Sequence, residues 1–181
     1  MKIKKNSNTL TTKNIILTLI LTLSFMFYSA DVSAAKPSEK KWTEQCDEDK
    51  KNCLAMIQKN NDNKETVAVI YIRMSEVTVG EKKQIAPALF VNLPLNQDLS
   101  KKPKIVIDGN IEKSSLDTTY TNCNATSGCV ASAALNDKGI ELLKGGDEVS
   151  VLFQLYGAKD VLQIDFPLKG FTKAYTKILE K

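Results

Sequence analysis

The residues of this chain best equipped for chemistry are its four cysteines, Cys46, Cys53, Cys123 and Cys129. A thiolate can act as nucleophile, redox centre or soft metal ligand, while two thiols can also close a covalent staple. Spacing separates these uses. A redox-active pair typically stands as Cys-x-x-Cys at the start of a helix, where the dipole lowers a thiol pKa; neither Cys46/Cys53 nor Cys123/Cys129 has that spacing. Structural zinc sites use closer cysteine pairs and often histidine, and this chain has no histidine. No metal site and no cofactor are therefore expected. In an oxidising compartment an even count of thiols is driven to pair, which predicts two disulfides. Four cysteines allow three connectivities. The local one, Cys46 with Cys53 and Cys123 with Cys129, is the simplest, because each pair brackets a polar, turn-prone segment at residues 47–52 and 124–128. Loops of that length stabilise by about 2.5 kcal/mol each in the chain-entropy model.

The missing histidine also removes the commonest general base, so Ser-His-Asp and Cys-His mechanisms are excluded. There is no Gly-x-Ser-x-Gly elbow, Ser-x-x-Lys motif or phosphate-cradling glycine loop. Paired carboxylates remain, and a carboxylate-based hydrolase acting on cell-wall or sugar substrates is the alternative reading. Its candidates, Asp47, Glu48 and Asp49, crowd into the first cysteine loop, where a solvated turn is the expectation. Asp108-Gly109 directly after an apolar burst also reads as a turn. No catalytic residue is assigned, and the protein is expected to be no enzyme.

The oxidising compartment is implied by the N-terminus. Lys2, Lys4, Lys5 and Lys13 form a basic region, an uncharged run rich in Ile, Leu and Phe follows over residues 14–30, and Val32 with Ala34 fit a signal-peptidase site. This predicts a signal peptide over 1–34, cleaved after Ala34, with Ser33 and Ala35 as the alternative register. An uncleaved anchor is disfavoured, since a spanning helix needs roughly 20 apolar residues. No cysteine follows the small residues, so the lipid-attachment signal of bacterial lipoproteins is missing. Of 25 basic and 21 acidic residues, four Lys and one Asp belong to the first 34, which leaves 21 and 20 beyond them. That balance provides no field for nucleic acid, and none is expected as a partner. Arg73 is the single arginine.

Residues 35–41 read as a flexible leader, and order should begin at Trp42. From there short apolar bursts alternate with turn chemistry, which is the cadence of an all-β domain. Strands are predicted at 42–46, 53–58, 66–74, 88–93, 104–108, 116–121, 129–134, 148–156 and 161–166. Val149, Val151, Phe153 and Leu155 recur at every second position, as do Leu162, Ile164 and Phe166 across the following turn, so these two strands should pair antiparallel with one face on a core. Residues 67–72 are apolar on both parities, which suits a central strand covered on both sides. A short helix is predicted at 136–143, with Asn136 or Asp137 as cap. A C-terminal amphipathic helix is predicted at 168–180, started by Pro167 and docking through Leu168, Phe171, Tyr175, Ile178 and Leu179. The sum is one disulfide-stapled domain over 42–181, mainly β, a two-layer antiparallel β-sandwich. The last helix carries Lys169, Lys173, Lys177 and Lys181, one every four residues. This stripe is a candidate interaction surface for weak contact with an anionic membrane or an acidic partner, although a solvated face is the plainer expectation.

Taken together, several short motifs resemble the invasion-associated locus B family of bacterial exported proteins. They are Trp42-x-x-x-Cys46, Cys53, Leu93-Pro94-Leu95 ahead of residues 105–108 with Gly109, Tyr120-x-x-Cys123, Gly128-Cys129-x-Ala131, and Phe166-x-Leu168-x-Gly170-Phe171-x-x-Ala174. The resemblance spans residues 42–179. One departure is Asn96 after Leu93-Pro94-Leu95, where relatives often have Gly. The resemblance implies a periplasmic protein, outer-membrane-associated or secreted in some settings, named for a link to host-cell invasion, with an unidentified protein or envelope component as partner. It transfers no catalytic residue.

Overall fold

The computed structural model describes residues 40–79, 82–126 and 128–180. The expected signal peptide, most of the leader and Lys181 lie outside the described residues. In chain order the elements are β1 (Thr43–Cys46), β2 (Cys53–Asn60), β3 (Thr66–Val79), β4 (Lys82–Leu93), β5 (Lys104–Ile107), β6 (Ser115–Asp117), β7 (Thr119–Asn124), β8 (Gly128–Ala134), α1 (Asp137–Gly145), β9 (Glu148–Phe153), β10 (Leu162–Pro167) and α2 (Phe171–Leu179). A six-stranded sheet in the order β1-β2-β3-β4-β8-β7 faces a four-stranded sheet in the order β10-β9-β5-β6. All pairings are antiparallel, and the two layers form the expected sandwich.

Alternation decides what enters the core. Ala55, Ile57, Ile70, Ile72, Leu89 and Val91 from the large sheet meet Ile105, Ile107, Val149, Val151 and Phe166 from the small one, all essentially inaccessible to solvent. Four strands cannot cover six. The uncovered width at β1 and β2 is filled by α2, which buries Phe171, Ala174, Tyr175 and Ile178 there. Trp42 ties this helix to the first strand. Its ring meets Phe171 edge-on at 5.0 Å, its indole Nε1–H donates to the Pro167 carbonyl at 3.0 Å, and its backbone N–H donates to the Lys169 carbonyl at 3.0 Å. In α1, Asn136 is the N-cap and its side chain accepts the Gly139 N–H at 2.9 Å, as the sequence predicts.

Four expectations are corrected. The strand predicted at 116–121 is two strands in different sheets, β6 and β7. The chain changes sheet at Thr118, whose buried hydroxyl donates to the Pro103 carbonyl at 2.6 Å. The corner is made by a hydrogen-bonded threonine, with no Gly or Pro to punctuate it. Second, β3 and β4 continue well past Met74 and before Ala88. They pair with each other out to Val79 and Lys82, whereas β2 stops opposite Arg73 and β8 stops opposite Ala88. The result is a two-stranded arm, laced by Lys83 and Glu76 at 2.8 Å, whose mixed sequence lacks the buried face that alternation detects. Third, β3 is central as expected but packed on one side only. Ala68, Ile70 and Ile72 are buried, while Val67, Val69 and Tyr71 on the other face are half-buried. Fourth, α2 begins at Phe171 and not at 168, because Pro167 still belongs to β10 and Leu168 N–H bonds the Asp147 carbonyl at 2.8 Å. Gly170, at φ +83°, turns the chain between them.

Candidate interaction surface

The four cysteines form the local pairs, Cys46 with Cys53 and Cys123 with Cys129. Each joins residues directly opposite one another in register, with Cα atoms 4.0 Å apart. Such close approach belongs to the non-hydrogen-bonded sites of an antiparallel ladder, where opposing side chains lie nearest. The bridges close the β1–β2 and β7–β8 hairpins, at the two edges of the six-stranded sheet. Glu44, Cys46 and Cys53 bring a carboxylate and two sulfurs within 4.8 Å of one another. The sulfurs are bonded to each other and offer no thiolate to a metal.

The candidate carboxylates are turn-formers. Asp47 accepts from the Asn52 side chain and from the Lys51 and Asn52 backbone N–H groups, and these bonds hold its pKa below the usual aspartate value. Asp108 takes φ +50°, and its Oδ1 accepts from the N–H groups of Asp147 and Glu148 at 2.9 and 3.0 Å, joining two turns. Three clefts lie among the described residues of the sandwich surface. One holds Glu65, another Glu76 and the third no carboxylate, so none brings together the pair a hydrolase needs.

The lysine stripe is partly engaged. Lys173 and Lys177 lie exposed along α2, Lys169 precedes the helix, and Lys181 is outside the described residues. Lys177 Nζ sits 3.3 Å from Glu44 Oε2, a link from α2 to β1 that neutralises one charge of the stripe.

Sequence reasoning passed over the outward face of the six-stranded sheet. The register sets Met56, Tyr71, Phe90 and Ser132 in one row across β2, β3, β4 and β8, with Gln58, Val69, Asn92 and Val130 in the next. Tyr71 and Phe90 stack at 5.1 Å, and the Arg73 guanidinium lies 4.9 Å from the centre of the Phe90 ring. Partial burial raises the Tyr71 pKa, and the nearby Arg73 charge opposes that rise. An outward sheet face is ordinarily polar. This one is largely aromatic and aliphatic, with Met56 and Gln58 buried along β2 and Val69, Tyr71, Phe90 and Val130 half-buried, and no described element packs over it. The available signal was the doubled apolar pattern of residues 67–72, which records a core on one face and this surface on the other.

The same face borders two clefts. One, of about 640 Å³, lies between the arm and β7–β8, with Phe90 between them. The other, of about 380 Å³, sits at the opposite end beside Asn92, Pro94 and Gly128. The Asn92 Oδ1 atom is buried with no hydrogen-bond partner among the described residues.

The motif residues meet at two joints. Trp42 packs against the segment from Phe166 to Phe171, as described above. In the second joint Leu93 pairs with Cys129, and Gly128, at φ +77°, packs so closely that a Cβ there would collide with the Leu93 carbonyl. Asn96, in the following turn, takes φ +74°, a left-handed conformation that Gly adopts freely and Asn better than most other residues. The family model described as Invasion associated locus B (IalB) protein matches residues 42–179. No curated protein and no solved structure matches the chain. Because the match runs from the tryptophan that opens the sandwich to the end of its last helix, the chain belongs to the invasion associated locus B family.

Proposed function

We propose that this protein is a non-enzymatic envelope protein that uses a stapled β-sandwich to present an interaction surface to another macromolecule. Two disulfides and the family point to an exported protein. The periplasm is the proposed compartment, with outer-membrane association or secretion as variants of it. The observation that carries the reading is the cluster of half-buried Tyr71 and Phe90 with exposed Arg73 on the outward face of the six-stranded sheet, over which no described element packs. Aromatic side chains and arginine are the types that dominate binding energy at protein interfaces, and an outward apolar patch on a domain of this size marks a contact site. The lysines at 169, 173 and 177 are proposed to add a weak, salt-sensitive attraction to anionic surfaces.

Chemical crosslinking in intact exporting cells, followed by recovery of the protein, tests this. A crosslinked adduct is expected with the wild type and should be lost in Phe90→Ser. Identical adducts from the two proteins, or turnover of a cell-wall or sugar substrate by the purified protein, would overturn the proposal.

A further inference from the structure

We infer that the cleft between the β3–β4 arm and β7–β8 receives an acidic, apolar stretch of partner polypeptide, whose carboxylate is held by Arg73. This deepens the interaction reading above and rests on it. Arg73, Ser75 and Val77 line one side, Thr121 and Ser132 the other, with Phe90 between. The cleft is of a size that holds a few side chains.

Charge selects the occupant. The Arg73 side chain has no carboxylate within ion-pair distance and no hydrogen bond among the described residues; it lies over the Phe90 ring and close enough to Tyr71 for its charge to be felt there. The one acid lining the cleft, Glu76, is committed to Lys83 at 2.8 Å. An unopposed guanidinium beside a phenyl ring offers a planar fork to a carboxylate and an apolar bed to what surrounds it. The hydroxyls favour polypeptide over hydrocarbon. The Ser75 and Ser132 hydroxyls have no hydrogen-bonding partner among the described residues, so a lipid chain laid over them would strip their water and return nothing, whereas peptide amides would replace it. A second copy fits poorly. A two-fold interface sets the same patch against itself, and this patch has no free carboxylate to give Arg73.

The test uses fluorescence anisotropy on protein purified from exporting cells. Its probes are two end-blocked, dye-labelled heptapeptides, Val-Thr-Val-Glu-Val-Phe-Val and the same peptide with Gln in place of Glu. The Glu peptide is expected to bind the wild type at least tenfold more tightly than its Gln twin, and Arg73→Gln should abolish that preference. Arg73 is exposed, so the variant should melt with the wild type and report binding alone. The inference is overturned by equal affinity for the two peptides, or by a preference that survives Arg73→Gln. It is also overturned if phosphatidylglycerol vesicles, or self-association in sedimentation, show the Arg73-dependent binding instead. Should the peptides fail while the cellular adduct is still lost in Phe90→Ser, the ligand class falls and the interaction reading stands.

Discussion

The sandwich has two outward faces, and they are built to opposite rules. On the four-stranded sheet Ser150, Gln163 and Asp165 form a closed polar set. The Ser150 hydroxyl donates to Asp165 at 2.7 Å, and the Gln163 amide donates to the same carboxylate oxygen at 2.7 Å. Lys104 stands opposite Asp117 in the neighbouring strands. Ser150, Gln163 and Asp165 thus find their partners within the sheet, beside the apolar Val106 and Leu152 on the same face. On the six-stranded sheet the equivalent positions hold Met56, Val69, Tyr71, Phe90 and Val130 among the polar Gln58, Asn92 and Ser132, and Arg73 beside them rests on a ring. The polar set is closed on itself, whereas the aromatic face keeps apolar area and a charge in reserve. Both are carried on the same core, so loss of stability and loss of binding should separate cleanly between them.

The inward side sets the upper limit of that separation. Phe166→Ala empties a fully buried site and is expected to cost about 3–5 kcal/mol in denaturant unfolding, with any loss of binding following from loss of fold. Cys123→Ala should cost about 2.5 kcal/mol and leave buried Cys129 as a free thiol that a titration in denaturant detects. Unchanged unfolding in that variant would count against the staple. Asp165→Ala, on the polar outward face, strands the largely buried Ser150 hydroxyl and should cost about 1–2 kcal/mol while leaving the cellular adduct intact. The smallest effect belongs to Tyr71. Burial raises its pKa, so the folded state favours the neutral phenol. That contribution to stability is full below the ordinary tyrosine value near 10 and is lost as pH rises through the shifted one. Tyr71→Phe should flatten this alkaline slope, read as melting temperature against pH; an unchanged slope would remove Tyr71 as its source.

Much of the framework was legible in the sequence, and the reasons are local. The alternation of Val149, Val151 and Phe153 names a face directly, and cysteines separated by short polar loops point to hairpin staples. Trp42 and the tail motif marked the family, and the structure explains them as the joint between the first strand and last helix. What escaped reading has no local signature. Thr118 turns a corner by bonding to Pro103, fifteen residues away. The arm is held by its own ladder and buries little, so no hydrophobic period betrays it. The aromatic face was hidden for a different reason. Residues apolar on both parities look the same whether the second face meets a layer of this protein or a partner, and only the positions of the other strands distinguish the two.

Hydroxyl-radical footprinting, run on the purified protein and again in intact exporting cells, tests most directly whether the aromatic face is covered in use. Tyr156, which is 77% exposed and follows β9 of the four-stranded sheet, serves as the internal reference. The account requires Tyr71 and Phe90 to be labelled in the purified protein and protected several-fold in cells, with Tyr156 labelled equally in both. Equal labelling of Tyr71 and Phe90 in the two settings would contradict it.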